Sequence, residues 1–324
     1  MRTLIFTFIL FISFTACQNE STKQTSAKQA PDFVVQTNKL DLQYENLRLL
    51  PIVASDAFIA QNAGAADLMT LQEALVQERF RITERKPFGR REDDQAVNTL
   101  LVHNKTEAPV FLMAGEVVQG GQQDRVIAQD AVIAARSLTN IPVFCVEPGR
   151  WSYHENPETA QPDKKIYAFT GYYHVASPQV RKSAQYEQDQ QAVWKHVAAI
   201  TEANDAKTET GAYAGLEQSQ KFTQARDRYI TFFKDKVNNS ANMIGLVAIS
   251  GNQIIGADVF AHPTLFRKQY EALLHSYVTH ALTSGASVNL KPENIELYIN
   301  NLAKKYHKNA VPQWNGMVLH WGEL

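Results

Sequence analysis

The 324-residue chain carries 32 Lys+Arg against 33 Asp+Glu, a formal charge of -1, with 44% hydrophobic and 20% charged residues. That balance fits a globular protein with a substantial core. It gives no basic footprint for nucleic acid, which a phosphate backbone demands.

The amino terminus reads as an address. Arg2 precedes the apolar run Leu4–Phe14, which is too short for a stable bilayer-spanning helix, and Thr15-Ala16-Cys17 closes it. Small residues directly before a cysteine resemble a lipobox. Residues 1–16 are therefore expected to be a lipoprotein signal peptide, with Cys17 as the lipidated first residue of the mature chain. The chain is expected to sit in the bacterial cell envelope, its membrane partner being that lipid anchor. Gln18 to Asn38 is polar and poor in apolar residues, so residues 17–39 read as a flexible tether. Lipidation of Cys17 would leave Cys145 without an intramolecular disulfide partner. No cofactor is expected, since the envelope supplies neither ATP nor reduced nicotinamides.

From residue 40 to 324 a single α+β domain is expected, β-rich in its first half and mainly helical in its second. Leu47–Val53, Phe80–Thr83, Thr99–Val102, Val110–Met113, Arg125–Val132 and Pro142–Val146 are short apolar runs of strand type. Asp67–Val76 reads as one short helix, and Gly120-Gly121 as a tight turn. Further on, Tyr186, Val193, Val197 and Ile200 recur at helical spacing. So do Phe222, Ala225, Tyr229, Phe233 and Val237, and again Ile295, Tyr298, Leu302 and Tyr306. Ile244–Ile249 and Ile254–Phe260 flank Gly251-Asn252 as a hairpin. Pro263 opens a helix that Gly285 follows, and Met317–Trp321 is placed as a return to the sheet.

Two neighbouring stretches carry more charge than a scaffold needs: Met113–Val126 and Ile141–Trp151. Strand ends pointing one way would gather Glu116, Asp124, Arg125, Glu147 and Arg150 into one polar site. Glu116 and Asp124 are the candidate catalytic carboxylates. Gln123, Arg125, Glu147, Arg150 and Trp151 are the candidate ligand-binding residues, arginine offering a two-pronged donor and Trp151 a stacking face. The alternative is an Arg–Glu network that holds strands in register, with Trp151 in the core. Convergence in an open cleft favours a site, whereas burial with mutual satisfaction favours architecture.

Glu116 through Val126 and Cys145-Val-Glu-Pro-Gly-Arg-Trp151 resemble the signature of the ARG and rhodanese-phosphatase-superfamily-associated protein domain. So does Leu246–Phe260 leading into the Pro263 helix. The resemblance covers about residues 40 to 324. The family name implies a context of ADP-ribosylglycohydrolases and phosphatases, hence of ADP-ribose or nucleotides.

Among other chemistries, the nine histidines show no zinc spacing, and no metal site is expected. Cys145 lies in an apolar strand and reads as a buried thiol. Tyr153-His154-Glu155 and Tyr172-Tyr173-His174 read as surface-loop residues, with pocket lining as the other option. Three functions stay open: a binding module for a small polar or anionic ligand, a hydrolase linked to ADP-ribose or sugar phosphates with Glu116 or Asp124 as base, and a structural or partner-docking lipoprotein.

Overall fold

The computed structural model describes residues 32–38, 42–84, 98–150, 168–237 and 240–324. The first half runs β1 (Phe33–Val35), β2 (Gln43–Tyr44), β3 (Leu47–Ala54), α1 (Asp56–Gln61), a 3-10 turn (Ala63–Asp67), β4 (Met69–Thr70) and α2 (Leu71–Leu75). Then come β5 (Phe80–Glu84), β6 (Thr99–Asn104), β7 (Val110–Leu112), β8 (Glu116–Gly120), β9 (Arg125–Ile127), β10 (Ala131–Ile133), β11 (Ser137–Cys145) and β12 (Ala168–Val175). The second half holds α3 (Pro178–Lys182), which runs into a π-helical turn (Ser183–Glu187), then α4 (Gln190–Ala203), α5 (Gln220–Phe233), β13 (Met243–Ser250), β14 (Gln253–Phe260), α6 (Pro263–Ser284), α7 (Pro292–Asn309) and β15 (His320–Glu323).

Six strands close into a barrel in the order β11-β6-β5-β12-β8-β9, filled by Ile82, Val102, Val118, Ile127, Val143 and Phe169. A second, six-stranded sheet runs β1-β3-β13-β14-β15, with β2 on β3. Both of its faces are covered. Leu49, Leu246 and Ala248 pack with α6 residues such as Leu273 and Tyr277, while Ile52, Val247 and Val259 pack with Ile295 and Leu302 of α7. Burial on two faces explains why every residue of β13 is buried and why its sequence lacks polar alternation from Met243 to Ile249. α6 packs on β13 and β14 and also on β12 of the barrel. A helix covered on several sides is buried all round, which accounts for the unbroken buried run from Ala272 to Ala281; of its polar members, Ser276 donates to the Ala176 carbonyl and Thr279 to that of His275.

The helix and hairpin punctuation follows local chemistry. Pro263 sits at the first helical position behind the His262 cap, and Gly285, at φ +61°, supplies the left-handed residue that ends α6. Gly251 turns the β13–β14 hairpin at φ +59°. The α+β class, the β-rich first half and the helical second half with its hairpin agree with the expectation.

Several local expectations change. The stretch expected as tether up to residue 39 contains β1: the apolar run Phe33-Val34-Val35 pairs with Ile52–Ala54 of β3 and buries Phe33. Asp67–Val76 is a 3-10 end, a two-residue strand and the short helix α2, because the Thr70–Glu73 capping box starts the helix late. Arg125–Val132 divides into β9 and β10. Tyr172, Tyr173 and His174 lie in β12, not in a surface loop, and both Tyr173 and Val175 face a core. Cys17, the signal stretch, Trp151 and Tyr153–Glu155 lie outside the described residues.

Candidate functional site

The turn after β8 and the turn after β11 lie side by side because β9 and β11 are ladder partners, with Arg125 opposite Cys145. This places Gln123, Asp124, Arg125, Glu147 and Arg150 in one network. Arg150 is its hub. Its Nε donates to Glu147 Oε2 at 2.7 Å, one terminal nitrogen reaches Asp124 Oδ1 at 2.9 Å, and the other donates to the Gly121 carbonyl at 3.0 Å. Glu147 Oε2 also accepts the Asp124 backbone N–H at 3.2 Å, and Oε1 accepts the Thr210 hydroxyl at 2.8 Å. Behind this hub, Gln123 donates to the Glu147 carbonyl at 2.9 Å and accepts from both Arg125 and the Cys145 thiol at 2.9 Å. Arg125 also touches Cys145 Sγ at 2.7 Å and faces Glu84 at 3.8 Å. Gly149 lets the turn approach closely, since a Cβ there would lie 2.9 Å from Thr210 backbone.

The network has two faces. Gln123 and Arg125 are fully enclosed, and protein groups engage the Gln123 amide and the terminal nitrogens of Arg125, while Arg125 Nε has no hydrogen-bond partner; this side of the network is architecture. Asp124, Glu147 and Arg150 line a cleft of about 380 Å3, together with Gln119, Thr170, Thr208, Thr210 and Gln218. Asp124 Oδ1 accepts the Gly120 N–H at 3.1 Å as well as Arg150, and the Gln119 side chain hydrogen-bonds the same carboxylate. Burial pushes the Asp124 carboxyl up, and Glu147 beside it pushes the same way. Burial acts on Glu147 too, but Arg150, Thr210 and the Asp124 N–H outweigh it and leave that carboxyl below its ordinary value. Burial raises the Cys145 thiol above its usual pKa despite Arg125, consistent with an unreactive group.

Glu116 does not join this network. It opens β8 while Asp124 lies beyond the end of that strand, and four steps of an extended chain separate Glu116 from Gly120 by roughly 13 Å. It is fully buried, accepting from the Met113 N–H at 2.7 Å and the Tyr172 hydroxyl at 2.9 Å, and burial lifts its pKa to about 7.

A second charge network escapes the sequence reading. Arg181 of α3 donates twice to Asp258 of β14, at 2.6 and 3.1 Å. His320 of β15 sits between Asp258 Oδ1 and Asp130 Oδ2, its ring nitrogens 2.8 Å from each. Asp130 Oδ1 accepts the Ala114 N–H at 2.7 Å, and Tyr277 donates to Asp258. An imidazole flanked by two carboxylates satisfies both only as the doubly protonated cation. Burial opposes that charge, but Asp130 and Asp258 outweigh it and hold the pKa at about 9. Gly115, at φ +96°, lets Arg181 cross the backbone, since a Cβ there would lie 2.6 Å from its side chain. The available signal was Asp258 itself, a lone carboxylate in the apolar run Ile254–Phe260; its partners come from segments far away in sequence.

Among the described residues no group of three or more His, Cys, Asp or Glu could hold a metal ion, and no helix is long and apolar enough to cross a membrane.

A closed barrel beside a two-faced sheet, with glycine-rich turns carrying the first network, defines an α+β domain in which both quoted motifs are structural neighbours. Its family model matches residues 37–315, and the chain belongs to the family of the ARG and Rhodanese-Phosphatase-superfamily-associated Protein domain. No curated protein and no solved structure matches it.

Proposed function

We propose that the chain is a lipid-anchored ligand-binding domain of the cell envelope, carried by Cys17 and a polar tether, and that a small, uncharged polar ligand occupies the cleft over Asp124, Glu147 and Arg150. The observation that carries the reading is the convergence of those three side chains on one 380 Å3 cleft, a volume within the usual range for small-molecule sites. Of the two ligand kinds expected, polar fits better than anionic. The Arg150 guanidinium is occupied by two carboxylates and a carbonyl, so the floor offers no free cation. The walls instead offer threonine hydroxyls and glutamine amides. Phosphate-bearing substrates of the kind the family name suggests do not suit this floor.

Saturation-transfer NMR of the full-length protein against neutral sugars, polyols and amides tests the reading. Thr170→Trp fills the cleft from its exposed side without touching the ion network. Signal from at least one compound, lost in Thr170→Trp at unchanged thermal midpoint, is the expected result. No signal from any compound, or signal indifferent to Thr170→Trp, overturns it.

One observation supports hydrolysis at the same cleft. Burial and the neighbouring Glu147 shift Asp124 up, while Arg150, Thr210 and the Asp124 N–H shift Glu147 down, so the two carboxyls are pushed apart in the direction an acid/base pair requires. Under this reading Asp124→Asn abolishes turnover of a glycoside that still binds; persistence of turnover removes Asp124 from that role.

A further inference from the structure

The second charge network reaches the surface in another, larger cleft of about 680 Å3, with Asp130 and His320 among its lining residues. Charge balance sets what this cleft accepts. Asp130, His320, Asp258 and Arg181 alternate in sign along one hydrogen-bonded chain and sum to zero. Glu323 at the rim is paired with Lys305. Lys182 and Lys308, also lining the cleft and exposed, have no carboxylate partner among the described residues. Set against the α-carboxylate of Leu324, which also lines the cleft, the two lysines leave an excess of one positive charge facing it.

The walls add shape. Trp321 lines the cleft with its ring fixed edge-on against Tyr306, centroids 5.8 Å apart. Tyr186 is tied by its hydroxyl to the Gly322 carbonyl. Gln185 and Tyr186 reach the cleft from the π-helical turn Ser183–Glu187, a widened turn that is rare and recurs at functional sites. Gln185 Oε1 is buried with no hydrogen-bond partner, a deficit that a donor on a bound molecule would relieve.

We infer that this cleft is a separate binding site for a small organic anion that carries a planar ring and a hydrogen-bond donor. Lys182 and Lys308 take the anionic group, Trp321 takes the ring and Gln185 Oε1 accepts from the donor. Two point charges on flexible stems attract carboxylate and phosphate alike, so the anion type is set by the test. An aromatic face provides a preference for ring-bearing anions over bare ones.

The test is calorimetric titration of the full-length protein with 4-hydroxybenzoate, 4-hydroxyphenyl phosphate and inorganic phosphate, with tryptophan fluorescence followed in parallel. At least one ring-bearing anion binds about tenfold or more tightly than inorganic phosphate. Binding weakens about tenfold in Lys182→Ala/Lys308→Ala, whose exposed sites leave the thermal midpoint unchanged, and it weakens with rising salt. Trp321→Phe removes the ligand-induced fluorescence change, and Thr170→Trp in the other cleft leaves binding intact. Which ring-bearing probe binds distinguishes a carboxylate from a phosphate ligand. No binding at millimolar concentration, equal binding of inorganic phosphate, or binding indifferent to the lysine pair overturns the inference.

Discussion

Arg150 and Arg181 are both buried guanidiniums held by carboxylates, and they sit in different parts of the fold. Arg150 comes from a turn three residues after Glu147, and its partners lie on the two adjacent turns of one barrel region. Arg181 comes from a helix and reaches Asp258 on the other sheet, whose next partner, His320, is on the edge strand β15. The first network is local and stands at a cleft on its acidic side. The second is a tie between barrel-side and sheet-side elements, in which both terminal nitrogens of Arg181 and both ring nitrogens of His320 are engaged by carboxylates, with lysines that have no carboxylate partner among the described residues only at its outer end. A guanidinium whose terminal nitrogens are already engaged by protein oxygens serves geometry, so each cleft takes its ligand preference from groups around the network rather than from the arginine.

This contrast can be broken most severely at Arg181. Arg181→Met leaves Asp258 and the His320 side of the chain uncompensated in a fully buried site, and removal of one partner from such a pair costs about 3–5 kcal/mol. Urea unfolding should show that loss, and a change under 1 kcal/mol, by the same measure, would refute the tie.

The pH dependence of stability separates the networks next. The folded pKa of His320, about 9, lies above its ordinary 6.5, so its contribution is complete below pH 6.5 and is lost as pH rises through 9. The swing is on the order of 3 kcal/mol. Glu116, lifted from 4.5 to about 7, works in the same direction at lower pH, because ionising it costs the folded state. Thermal midpoints should therefore decline from pH 6.5 to 9, and His320→Gln should flatten that decline. Retention of the full slope in the variant would remove His320 as its source.

At the first network, Arg150→Met should destabilise by about 2–3 kcal/mol, less than at Arg181 because its carboxylates face a cleft that water can enter. Equal losses at the two arginines would erase the distinction drawn between them. The smallest effect belongs to Cys145→Ala, which removes the thiol between Arg125 and Gln123 and should cost about 1 kcal/mol in the same denaturation measurement. A larger loss would mean that the thiol positions Arg125.

The two networks also differ in how far they could be read in advance. Gln123 through Arg125 and Glu147 through Arg150 were visible because charges and glycines cluster at strand ends within two short stretches. Glu116 was grouped with them by proximity in sequence, and the length of β8 carries it away. Asp130, Arg181, Asp258 and His320 are spread across 190 residues and follow no spacing rule. Their meeting depends on α3, β14 and β15 packing together.

Sequence alone determined the α+β class, the β13–β14 hairpin and the bounds of α6, because these rest on apolar periodicity and on the backbone freedom of Gly251 and Gly285. It also determined which turns carry charge. Tertiary structure alone decided barrel closure, the burial of Tyr173 in β12, the exclusion of Glu116 from the first cleft and the assembly of the Arg181 chain. The physical reason is that periodicity and turn chemistry act over a few residues, whereas the pairing of buried charges is set by which distant segments share a desolvated space.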